Sequence, residues 1–127
     1  MFEELWDEND LEMTENLMRV KILSLKKLGD PYPLMRLYGP LALVLAKRSK
    51  FLDAQDALND AEFLLVEHGW RGTEKEAWML RDQARVMMAF GQDGFAKLCV
   101  EQMGRLLSEE TEPELQTEHE RLKALVP

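Results

Sequence analysis

A shift of 42 residues lays one half of this chain over the other, and few folds tolerate that. The shift superposes Ala42 on Ala84, Val44 on Val86, Leu45 on Met87, Ala54 on Ala96, Ala57 on Cys99, Leu64 on Leu106 and Leu65 on Leu107. Within each copy a small residue near the middle of one apolar stretch is followed twelve residues later by another, Ala42 to Ala54 and Ala84 to Ala96. Small residues at such places let two helices approach closely, so each copy reads as a helical hairpin and the chain as a repeat of hairpins.

The remaining segments fit around these two copies. Met13, Leu17, Val20, Leu23 and Leu28 recur every three or four positions before Gly29, Asp30 and Pro31 end the pattern, which predicts a helix over 13–28 with those residues inward. Shifted by 41 residues, four of them fall on Ala54, Leu58, Ala61 and Leu64, as the second helix of an incomplete first repeat would. The first full repeat is expected over 32–67. Its opening helix runs from about Pro33 to Arg48, with a kink or break after Tyr38 because Pro40 lacks an N–H and crowds the carbonyl of Arg36.

The second full repeat is expected over 74–108. Thr73 with Glu76 reads as a capping box, and Asp93 as the cap of the following helix. Thr111 with Glu114 repeats the box spacing ahead of a capping helix over 112–125, whose apolar stripe is Leu115, Leu122 and Leu125. No alternating run long enough for a strand occurs, and 127 residues with 46% hydrophobic content can bury one continuous core. The expectation is therefore a single all-α domain over 1–127, a right-handed antiparallel helical-hairpin solenoid of about five or six helices.

The positions Tyr38, Leu41, Ala42, Leu45, Ala54, Leu58 and Ala61, matched more loosely by Leu80, Gln83, Ala84, Met87, Ala96, Val100 and Met103, resemble the tetratricopeptide repeat. The 42-residue spacing is longer than the usual period of about 34 for that class. Long-helix members are closer: Leu28, Gly29, Asp30 and Pro31 ahead of Leu41 and Ala42 are similar to the linker and helix start of kinesin light chain repeats. Gly39 and Pro40 stand where those repeats carry asparagines, and the lysine and asparagine set that clamps chaperone tails in some relatives is not reproduced.

The resemblance implies protein or peptide binding on a concave groove lined by the first helix of each repeat. Carried over by position, the groove is Arg36, Leu43, Ala46 and Lys47 with Trp78, Arg81, Arg85, Met88 and Ala89, a set with four cations and no acid. The chain as a whole has net charge −8, but its acids are concentrated at the ends: residues 1–15 hold seven and no base. A locally positive groove on an acidic protein favours an acidic or carboxylate-ended peptide. The overall charge argues against nucleic acid and anionic membranes as partners.

Catalysis is not expected. Two histidines, His68 and His119, and the single cysteine, Cys99, stand apart, with no metal-ligand spacing, no phosphate loop and no nucleophile motif, so neither a metal nor a cofactor is implied. The lone thiol and the absence of a basic leader or long apolar run indicate a cytoplasmic protein. Its expected role is a non-catalytic adaptor or scaffold. The alternatives are a structural module that associates with itself, so that a homodimer is open, and a small chaperone for exported proteins.

The first twelve residues raise one further question. Phe2, Leu5 and Trp6 form an apolar face at helical spacing among six carboxylates, which suits either a flap packed on the next helix or a segment that docks into the groove itself.

Overall fold

The computed structural model describes residues Met1–Pro127, all helix and turn with no strand. A single 3-10 turn (Glu3–Leu5) precedes six α-helices: α1 (Leu11–Leu28), α2 (Pro31–Lys47), α3 (Phe51–Glu67), α4 (Glu74–Ala89), α5 (Asp93–Arg105) and α6 (Pro113–Leu125). They pack as adjacent antiparallel pairs, a helical-hairpin array. Contacts along the chain gather into two compact units, Met1–Leu64 and Leu65–Pro127, with the boundary inside α3.

The expected small residues are where the helices pack. Ala42, Ala54, Ala84 and Ala96 have no exposed surface, and Ala61 has almost none. In the first unit α1 packs on α2, and α2 is buried almost all round from Met35 to Ala46. In the second, α4 packs on α5 and α6 packs on both, around Trp78, Leu80, Val100, Met103, Leu115 and Leu122. Each such large side chain contributes about 1.5–3 kcal/mol by leaving water.

Helix ends follow from local chemistry. Asp30 accepts from Tyr32 N at 3.3 Å, so α2 starts at Pro31, with the proline in the first turn where no N–H is missed. The ends of α2, α3 and α4 share one closure, in which the second residue beyond the turn bonds back five positions: Lys50 N to Leu45 O, Trp70 N to Leu65 O, and Gln92 N to Met87 O. Such a closure needs a left-handed residue. Gly69 and Gly91 supply it in two cases and Ser49, at φ +61°, in the third.

Several expectations are corrected. The inward face of α1 is Thr14, Met18, Ile22 and Leu25, whereas Met13, Leu17, Val20, Leu23 and Leu28 are exposed. α1 and α3 begin 40 residues apart, at Leu11 and Phe51, against the 41 of the expected match, and a slip of one residue turns a helix by about 100°. α2 is not broken at Pro40: Leu37, Leu41, Ala42 and Val44, all at most 3% exposed, hold the helix across the missing hydrogen bond.

The capping expectations also shift. Thr73 Oγ1 accepts from Lys75 N, but Glu76 reaches Gly72 N, one residue before the expected donor. α5 is capped at Gln92, with Asp93 as its first helical residue. Thr111 caps nothing on α6; its hydroxyl accepts from Ser108 N at 2.8 Å, and Glu112 occupies the cap position.

Candidate functional site

The expected groove residues fall in both units, and their own surroundings engage most of them. In the first unit Leu43 and Ala46 are buried, and Arg36 is 8% exposed with its Nη1 donating to Tyr32 Oη at 2.8 Å. Lys47 is exposed, but its ammonium is 3.0 Å from Glu8 Oε1 and 5.4 Å from the centre of the Trp6 ring.

In the second unit Trp78 is buried and donates from Nε1 to Glu112 Oε1 at 2.8 Å. The Arg81 guanidinium lies 4.9 Å from the Trp78 ring centre, with Nε 2.9 Å from Asp82 Oδ1. That last contact is an ion pair without hydrogen-bond alignment, as adjacent helical residues point about 100° apart. Burial pushes the Arg85 pKa down, Asp82 pushes it back up, and Arg81, Glu118 and Arg121 act more weakly with alternating sign. Met88 packs on the core of this unit, and Ala89 is exposed.

The set itself holds no acid, but acids outside it stand against two of its cations. Glu8 stands against Lys47, and the neighbouring Asp82 and the distant Glu118 stand against Arg81. Residue types on one helix face reveal its cations but not the carboxylates that folding brings to them.

The amino-terminal segment is a flap. Asp7 N donates to Thr14 Oγ1 at 2.9 Å, which turns the chain back onto the start of α1. Phe2, Leu5 and Trp6 are half-buried there, and Trp6 with Glu8 covers Lys47. The flap thus packs by α1, as the first sequence reading has it, and also lies against Lys47.

Two features were missed in the sequence. The first is Glu15, 4% exposed on α1 and held by three cations: Arg19 Nε at 2.9 Å, Arg48 Nη1 at 2.6 Å and Lys50 Nζ at 3.0 Å. Burial, the largest influence, pushes its pKa up; the bonds from Arg19 and Lys50, the field of Arg19 and the Arg48 bond outweigh it and bring the carboxyl down to about 2. A charged residue inside a helix face reads as exposed unless its remote partners are known.

The second is a cleft of about 420 Å³ in the first unit, open to solvent between α1 and α3. Its floor is buried and apolar: Ile22, Leu41, Leu45 and Ala57, with Tyr38 at one side. Arg19 and Lys26 from α1 form one wall and Asp53, Asp56 and Asp60 from α3 the other. The aspartates recur at i, i+3 and i+7 on one helix face, which was legible as a polar face but not as a wall. They do not converge into a group of the kind that holds a metal ion.

A second cleft, in the other unit, lies between α5 and α6 and carries Lys97, Arg105, Lys123 and His119 with Glu101. No helix is long and apolar enough to cross a membrane. No protein-family model, curated protein or solved structure matches the chain.

Proposed function

We propose that this chain is a non-catalytic protein-binding adaptor of tetratricopeptide-like hairpins, which holds an amphipathic segment of a partner protein in the cleft between α1 and α3. What supports this reading is the make-up of the cleft. A buried apolar floor attracts one or two large apolar side chains, and walls of opposite sign fix which way the segment lies. The partner segment carries acid toward Arg19 and Lys26 and base toward the three aspartates. That differs from the purely acidic peptide expected from the groove cations, of which Lys47 and Arg81 stand against acids of the chain and Arg36 donates to Tyr32.

Affinity capture from native lysate tests the proposal, with the parent compared against a variant carrying Asp56→Lys and Asp60→Lys. Both positions are exposed, so melting should be little changed. Partners held through the cleft should be lost from the variant, and their binding to the parent should weaken with added salt. An unchanged set of partners on a folded variant would remove the cleft from the function.

A further inference from the structure

α1 is apolar on two faces, and only one is covered. Met18, Ile22 and Leu25 are buried on the inner face. On the outer face Met13, Leu17, Val20 and Leu28 form a line at i, i+4, i+7 and i+15, exposed by 43%, 42%, 66% and 73%, with Leu23 beside it at 61%. Single exposed apolar residues need no explanation, but five on one side of a helix, interrupted by Ser24, do. Met13, Leu17 and Val20 have the spacing of a helix-to-helix seam.

We infer that this line is the contact between two copies of the chain, with the α1 helices antiparallel about a two-fold axis at Val20. Two observations choose a second copy and this orientation. The stripe comes back on itself to within one residue: turned about Val20, Met13 falls at the level of Lys27, next to Leu28 of the second copy, and Leu17 at the level of Leu23. The charges run in one order along the helix, Glu12 at the start, Arg19 and Lys21 in the middle, and Lys26 and Lys27 at the end, while Glu15 is already neutralised. Antiparallel pairing sets the acidic start of each copy over the basic end of the other, and a parallel pair would set like over like.

The size of the face fixes the strength. Eighteen residues make a face about 27 Å long and ~10 Å wide, on the order of 300 Å². That is below the roughly 800 Å² per partner of a standard stable interface, so the dimer is reversible and concentration-dependent. This inference does not rest on the cleft reading: of the seam residues Leu23 alone also lines the cleft, and the variants below are made at positions that do not.

Sedimentation velocity on the full chain, from about 1 μM to about 1 mM, reads the association directly. The parent should pass from monomer toward dimer. Val20→Glu, and independently Leu17→Glu, should raise the dissociation constant by at least about tenfold with melting unchanged. On mild oxidation Val20→Cys should cross-link to itself, whereas Met13→Cys should cross-link to Leu28→Cys in a mixture and not to itself. A parent monomeric throughout overturns the proposal. So does a dimer that survives both glutamate variants, or a Met13→Cys protein that pairs with itself as readily as Val20→Cys does.

Discussion

Arg48 donates from Nη1 to Glu15 Oε1 at 2.6 Å, fastening the residue that follows α2 to the first turns of α1. Lys50 reaches the same carboxylate from the far side of Ser49. A carboxylate whose pKa is about 2 folded, against an ordinary 4.5, stabilises the fold fully above about pH 5 and loses that contribution as pH falls toward 2. The shift corresponds to about 3 kcal/mol at most. Glu15→Gln should cost about 1–3 kcal/mol near neutrality, since its three cations are partly exposed and water takes over some of their stabilisation. Urea melts from pH 7 down to pH 2 should show parent and variant converging; a constant gap would mean that Glu15 acts by packing alone.

Ser49 holds the left-handed position that Gly69 and Gly91 hold after α3 and α4. A side chain there carries a steric cost that glycine avoids, so Ser49→Gly should stabilise by about 0.5–1 kcal/mol. A raised thermal midpoint with the same denaturant slope is the expected result.

Ala54 has no exposed surface. Ala54→Leu should overpack the site and cost about 1–3 kcal/mol. Unchanged thermal unfolding would remove Ala54 from the close crossings of the fold.

Gly104 lies inside α5, and a Cβ built on it would stand 2.9 Å from His119 Nε2 of α6. Alanine gains about 1 kcal/mol over glycine within a helix, but here the imidazole has to swing aside. Gly104→Ala should therefore gain less than that alone and the full amount beside His119→Ala. A double-mutant cycle measures the difference as the coupling between the two positions.

The helical hairpins were legible because small residues at a fixed spacing mark helix crossings directly. Ala42 with Ala84, Val44 with Val86 and Ala54 with Ala96 are all buried as paired. α1 was misread because it carries apolar residues on both faces, and the face that is buried includes Thr14 and Glu15. Their burial depends on Asp7, Arg48 and Lys50, seven to thirty-five positions away, and no local pattern reports such partners. The cations at Lys47 and Arg81 were found for the same local reason that Glu8, Asp82 and Glu118 beside them were not weighed.

Cys99 packs half-buried against the core of the second unit, and burial pushes its thiol pKa up. A thiol in that state reacts slowly with alkylating reagents until the structure around it opens, because the thiolate is the nucleophile. Its modification rate is thus a built-in clock for excursions of Leu65–Pro127, readable by mass spectrometry without any label. Timed under increasing denaturant, the clock would tell whether that half of the chain loosens before the whole molecule unfolds.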